Sequence, residues 1–175
     1  ILSYIRPLGS EKVSLLDALG RVIAEDICAP RDIPPFNNSG MDGYAVLWED
    51  VRNASTGHPS RLEVIEDLPA GSVSLKILGK GQAIRIMTGA PIPDGADTII
   101  PVEETKKDGT WVTILKAMPL GSHIRRAGGD VIKGDCVISK GDVLHSGGIG
   151  MTASTGRCFV SVYQRPLVAI LCTGE

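Results

Sequence analysis

The sequence lacks the residue patterns that mark the commonest specialised chemistries. Its four cysteines (Cys28, Cys136, Cys158, Cys172) form no CxxC pair, and its three histidines (His58, His123, His145) form no HxxxH or His/Cys cluster. That removes the ligand spacing of a structural zinc site. The neighbours of the cysteines are mostly apolar, so they read as small buried residues kept reduced. No segment concentrates Lys or Arg, and 18 basic against 20 acidic residues leave a net charge of −2. This argues against a nucleic-acid partner. No apolar run reaches the length of a membrane span, and the start carries no basic-then-apolar leader. The chain opens on Ile1 without a Met, which gives the expectation of sequence upstream. Aromatic residues are few (4%), yet hydrophobic residues reach 43%, enough for a folded globular chain.

What is plentiful is punctuation. The 21 glycines and 11 prolines separate short apolar stretches, a pattern of short strands and many turns. Two helices are expected. One covers Ser14–Gly20, with Ser14 as cap, Asp17 at the capping-box position and Gly20 as the left-handed stop. The other covers Ser146–Gly156, with Ser146 as cap and Gly156 as stop; glycines 147, 148 and 150 weaken it. Strands are expected at Tyr44–Trp48, Arg61–Ile65, Ala83–Met87, Thr98–Glu103 and Trp111–Ala117, with Asp108-Gly109 as a hairpin turn between the last two. Asp135–Ser139 and Asp142–Leu144 bracket a Lys140-Gly141 turn. Phe159–Tyr163 alternates like a half-exposed strand. Leu167–Cys172 is unbroken and apolar and meets Thr173-Gly174, which is how the first strand of a parallel α/β sheet reads.

Three segments can carry chemistry. In Pro34-Pro35-Phe36-Asn37-Asn38-Ser39-Gly40-Met41-Asp42-Gly43-Tyr44-Ala45-Val46, prolines fix an extended entry and a turn sets Asp42 at a strand mouth. A carboxylate there, with glycine-turn amides nearby, can ligate a hard cation or sit beside an anion. It can equally be a turn whose Asp bonds its own backbone. In Arg85-Ile86-Met87-Thr88-Gly89-Ala90-Pro91-Ile92-Pro93-Asp94-Gly95-Ala96-Asp97, a strand runs into Thr88-Gly89. That hydroxyl and amide suit a phosphate or oxyanion, or simply a loop. In Ile124-Arg125-Arg126-Ala127-Gly128-Gly129-Asp130, arginines lead into a Gly-Gly-Asp turn, either an anion site beside a carboxylate or a solvated strand end. No P-loop, GxGxxG or Ser/His/Asp arrangement is present.

In order and approximate spacing these segments resemble the signatures of the MoeA family of molybdopterin molybdenumtransferases, relatives of the gephyrin E domain. The first is similar to P-x-F-D-N-S-A-M-D-G-Y-A-V, the second to R-I-x-T-G-A-P-x-P-x-G-A-D, and the third to I-R-x-x-G-x-D. Arg165-Pro166 to Gly174 resembles the strand leading into that family's S-T-G-x-E-L. The resemblance covers almost the whole chain. It implies a mixed α+β, β-rich fold. A discontinuous first domain (1–28 and 135–160) would carry an inserted β-rich, barrel-like domain (29–134), and residues 161–175 would begin an α/β molybdopterin-binding domain.

The resemblance also implies an activity: molybdate insertion into adenylylated molybdopterin with release of AMP, assisted by Mg2+, in a cytoplasmic homodimer with no membrane or nucleic-acid partner. Asp42, Thr88 and Asp130 carry over as catalytic positions, and Asp42 and Asp130 as metal ligands. Ser39, Met41, Gly43, Gly89 and Arg125 carry over as substrate-binding positions. Departures are Asn37 where bacterial members usually have Asp, Gly40 where Ala is usual, and Gly129 in place of an acid. The acid of the Thr-Gly-x-Glu motif would follow Glu175, so this piece is expected to be inactive alone. A gephyrin-like dimeric scaffold and a small-anion binding module are the alternative functions.

Overall fold

The computed structural model describes residues 6–174. The chain divides into two compact units at Ile33/Pro34 and Asp130/Val131: the flanking segments form one, and Pro34–Asp130 the other. The family resemblance implies these divisions at 28/29 and 134/135. Strands and helices are numbered in chain order.

The flanking unit is built from β1 (Ser10–Ser14), β2 (Ile27–Cys28), β11 (Cys136–Ile138), β12 (Phe159–Tyr163) and helix α2 (Ser146–Ser154). Strand β1 runs antiparallel to β12, with Ser10 opposite Tyr163 and Ser14 opposite Phe159, and β2 runs antiparallel to β11. Leu15, Ala18, Ile23, Ile27, Leu144, Val160 and Val162 form its core. Val160 and Val162 point inward because strand side chains alternate, so the alternation in Phe159–Tyr163 is that of a half-covered strand. Two charged groups anchor the edges of this core. The Arg21 guanidinium, 9% exposed, donates to the Tyr163 carbonyl at 2.8 Å and pairs with Glu11. Glu25 accepts from the Ser161 N–H at 2.8 Å and from Arg157 at 3.1 Å.

Both expected helices differ in detail. Ser14–Gly20 forms only a single 3-10 turn, Leu15–Asp17, although Ser14 caps it and Gly20 takes a φ of +73°. The Leu15 N–H is already committed to the Cys158 carbonyl at 2.9 Å, and a seven-residue segment cannot offset the cost of helix nucleation. Helix α2 starts at Ser146, but its cap is His145, which makes no side-chain cap bond. Gly156 at φ +83° ends it as expected. Asp142–Leu144 forms no strand, since β11 takes β2 as its partner and Val143 makes only an isolated bridge to Val22.

The inserted unit holds a six-stranded sheet in the order β7-β4-β6-β5-β9-β8. Its strands are β4 (Gly43–Val46), β5 (Ser60–Leu68), β6 (Gln82–Ile86), β7 (Thr98–Pro101), β8 (Thr105–Asp108) and β9 (Trp111–Ile114). All neighbours are antiparallel except β5 and β6, and β5 carries a bulge between Val64 and Glu66 that bends the sheet. Tyr44, Val46 and Ile100 pack on one face and Ala45, Ile84, Ile86 and Ile99 on the other. Burial on both faces explains why β4 and β7 read as unbroken apolar runs rather than alternating ones. Two short strands, β3 (Asn38–Ser39) and β10 (Ile124–Arg125), pair antiparallel beside this sheet.

Several strand ends move relative to the sequence reading. Trp48 leaves β4 to open the one-turn helix α1 (Trp48–Val51), because its N–H turns to Asp97 Oδ1 at 2.6 Å. The hairpin at Asp108-Gly109 exists, but its first arm is Thr105–Asp108, polar residues that gave no strand signal. Leu167–Cys172 forms no strand among the described residues. Leu167, Val168, Ile170 and Leu171 are each more than 70% exposed. A continuous apolar strand needs two neighbours and two covered faces, and this run has neither.

Candidate active-site wall

All eight candidate positions fall in the inserted unit, and Ser39 joins the three segments that carry them. Its backbone N–H donates to the Ala90 carbonyl at 3.0 Å, and its carbonyl accepts from Gly89 N–H at 2.8 Å. Across β3–β10 it stands opposite Ile124. Its hydroxyl donates to the Met41 carbonyl at 2.6 Å and accepts from Met41 N–H at 3.3 Å. Fully buried, Ser39 shapes the loop that presents Asp42 and offers no surface to a ligand.

That loop places Asp42 against Thr88. Asp42 Oδ1 accepts the Thr88 backbone N–H at 2.7 Å and the Thr88 hydroxyl at 2.6 Å. The Asp42 carbonyl in turn accepts Val102 N–H at 3.1 Å. The Thr88 hydroxyl, and then its N–H, hold the Asp42 carboxyl below the ordinary carboxylate range; slight burial opposes this and Arg85 adds to it. Asp42 is therefore an exposed, ionised carboxylate at neutral pH. Its Oδ2 takes no hydrogen bond from any described residue.

Gly43 and Gly89 serve the backbone. A Cβ on Gly43 would lie 2.1 Å from the Ile100 carbonyl oxygen, so only glycine fits between β4 and β7. Gly89 sits at φ +86°, a left-handed turn that glycine takes without strain, and its N–H donates to Ser39 just after the Thr88 N–H donates to Asp42. Met41 is 36% exposed beside Asp42 in sequence.

Asp130 and Arg125 form an ion pair at 2.8 Å, both about half exposed. Asp130 is thus committed to Arg125, and Asp42 to Thr88. The two expected metal ligands have separate partners, and no cluster of three metal-binding side chains occurs among the described residues. The departures from the family pattern have local causes. Asn37 Oδ1 accepts the Ala127 N–H at 2.9 Å, a role that Asp fills equally well. A Cβ on Gly40 would come to 3.2 Å from the His123 carbonyl, and one on Gly129 to 3.0 Å from the Arg126 carbonyl, so both turns are tight around glycine.

The sequence offers both adjacent arginines to an anion, but the motif match carries over only Arg125 as a substrate-binding position. Arg126 makes no ion pair among the described residues. With Asn37, Ile92, Asp97, Leu120 and Ile124 it lines a groove of about 370 Å³. The Arg125-Arg126 doublet was the available signal, but only the fold shows which of the two is neutralised. Asn38 is buried, and its Oδ1 has no partner among the described residues. The cysteines depart from expectation too, since all four are exposed.

Residues 1–156 match the sequence pattern described as "MoeA N-terminal region (domain I and II)". The molybdopterin molybdenumtransferase of Staphylococcus epidermidis is 43% identical over 163 residues, covering 93% of this chain and 39% of that protein. The Bacillus subtilis protein of the same name is 40% identical over 169 residues, covering 94% and 39%. The crystal structure of the molybdopterin biosynthesis moeA protein from Pyrococcus horikoshii OT3 aligns with a TM-score of 0.83 at 40% identity, over 88% of this chain and 41% of that one. The chain spans about two fifths of the length of these relatives. With the fold, the three segments and the sequence match in agreement, this chain belongs to the MoeA family and corresponds to its N-terminal region.

Proposed function

We propose that this chain supplies one wall of the active site of a molybdopterin molybdenumtransferase. The enzyme would take adenylylated molybdopterin and molybdate, cleave the phosphoanhydride with water, release AMP and leave the metal on the dithiolene sulfurs. One observation carries the reading: the Asp42 carboxylate is fixed by both donors of Thr88 on an exposed loop. An ionised carboxylate held in one orientation can align water for attack on a phosphoanhydride or anchor a hydrated cation. Arg125, half exposed and balanced by Asp130, can swing its remaining donors to an arriving phosphate.

Mg2+ fits this donor set. It binds through one or two carboxylates, waters and substrate phosphates rather than a closed protein cage, and Asp42 Oδ2 is free to take that part. When bound it would neutralise charge developing on the phosphoanhydride. Asp42 would hold it, with Asp130 contributing only after releasing Arg125.

In this reading the remaining substrate contacts come from polypeptide of the kind the longer relatives carry, and the working enzyme is a cytoplasmic homodimer. Residues 1–175 alone therefore have no turnover. Measuring AMP release from adenylylated molybdopterin with molybdate tests this, using the chain alone and a protein of the relatives' full length. AMP release by the longer protein only is expected. Turnover by the chain alone, or none by the longer protein, overturns the reading.

A further inference from the structure

Cys28 and Cys136 face each other directly across the antiparallel pair β2–β11. The Ala29 N–H donates to the Asp135 carbonyl at 2.9 Å, one step outside the pair. That flanking bond is the pattern of a non-hydrogen-bonded pair, in which Cα atoms approach to about 4.5 Å and side chains lie on one face. Disulfides accept Cα separations of roughly 4.4–6.8 Å, a range that includes the spacing of such a pair. Both thiols are exposed. Cys158 immediately precedes β12, and Cys172 lies in the irregular final segment; neither stands opposite a cysteine in any strand pair.

We propose that Cys28 and Cys136 are a redox-modifiable dithiol that closes to an intramolecular disulfide when the protein meets a low-molecular-weight disulfide. One cysteine thiolate attacks a sulfur of the small disulfide, forming a mixed disulfide and expelling a small thiolate. The facing cysteine, after losing its proton to solvent, attacks the protein-side sulfur and expels the second small thiolate. The two cysteines lose two electrons and two protons; the small disulfide is reduced to two thiols.

Desolvation, and then the adjacent Cys136 and Asp26, push the Cys28 thiol above the ordinary range, so Cys28 thiolate is scarce at neutral pH. Once a mixed disulfide exists, its resolving thiol is already in place. Both cysteines belong to the flanking unit, and residues 34–130 lie between them in sequence. The bond therefore closes a covalent loop containing the whole inserted unit, and a chain cleaved within that unit stays linked.

The test is incubation of the chain with oxidised glutathione at mildly alkaline pH, then thiol blocking and peptide mapping by mass spectrometry. The expected product contains a Cys28–Cys136 cross-linked peptide, carries no glutathione on either of these residues whatever the exposed Cys158 and Cys172 retain, and reverts with dithiothreitol. Cys28→Ser and Cys136→Ser proteins, each without its resolving partner, are expected to retain glutathione on the remaining cysteine. The proposal is overturned by a stable glutathione adduct on Cys28 or Cys136 of the unsubstituted chain. Cross-links to Cys158, Cys172 or a second molecule also overturn it, as does recovery of Cys28 and Cys136 as free thiols.

Discussion

Asp42 Oδ1 receives two hydrogen bonds from a single residue, the Thr88 backbone N–H at 2.7 Å and the Thr88 hydroxyl at 2.6 Å. Forty-six positions separate the two residues in sequence. The contact exists because Ser39 ties the first segment to Gly89 and Ala90, so one buried hydroxyl and two backbone bonds set where the carboxylate stands.

Thr88→Val keeps the backbone donor and removes the hydroxyl. Because that hydroxyl is the largest influence lowering the Asp42 pKa, the carboxyl is expected to titrate closer to the ordinary 3.8 in the variant. Thr88→Ser retains the donor and is expected to titrate like the unsubstituted chain. Carboxyl carbon shifts followed by NMR across acidic pH report both. In the full-length protein, Thr88→Val is expected to lower turnover on the order of 10²-fold, the cost typical of losing one preorganised donor.

Acid stability of the flanking unit follows Glu25. The Ser161 N–H holds its carboxyl below the ordinary 4.5, burial opposes this, and Arg157 adds to the lowering. A carboxylate with a depressed folded pKa stabilises the fold above its unfolded pKa. That contribution is lost as pH falls through the lower, folded value. Thermal melts are expected to drop as pH falls below about 4.5, and Glu25→Gln, less stable near neutrality, is expected to show a shallower drop.

Two glycines separate packing from turn chemistry. Gly43→Ala drives a methyl into the Ile100 carbonyl and is expected to cost about 3 kcal/mol or more, enough to disrupt β4–β7 pairing. Gly109→Ala, at φ +60° with open space around it, is expected to cost only about 1 kcal/mol, the penalty of a left-handed alanine. Urea denaturation of both proteins gives the comparison.

Asp130→Asn separates stability from function at the third segment. An ion pair this exposed contributes at most about 1 kcal/mol, so the melting temperature is expected to move by no more than about 4 °C. Turnover of the full-length protein is expected to fall at least tenfold, on the order of a lost positioning contact. Steady-state AMP release beside a thermal melt checks both.

The sequence made the site's residue types legible because loops write their chemistry locally: Asn-Ser-Gly, Thr-Gly and Gly-Gly-Asp each signal a turn with a polar group on it. It also carried the β-rich fold, through short apolar runs between glycines and prolines. What it could not carry were relations across the chain. Nothing in Lys106 and Lys107 suggests a strand; β8 exists because β9 offers it a partner. The exposure of Cys28 and Cys136 depends on which side of a two-residue strand faces solvent. Ser39 looks like a ligand-facing hydroxyl until both its bonds are found inside the loop. Arg125 and Arg126 are chemically identical in the sequence, and only Asp130 tells them apart.

The most direct measurement is AMP release from adenylylated molybdopterin in the presence of molybdate by the full-length protein carrying Asp42→Asn. Asparagine preserves the shape and keeps an oxygen for the Thr88 donors but removes the charge. A melting curve close to that of the unsubstituted protein is expected, lowered only by the loss of two charge-assisted bonds at an exposed site, with AMP release reduced on the order of 10²-fold. An Asp42→Asn protein that turns over at the rate of the unsubstituted enzyme would show that the reaction runs without this carboxylate, and the wall built around it would have no part in the chemistry.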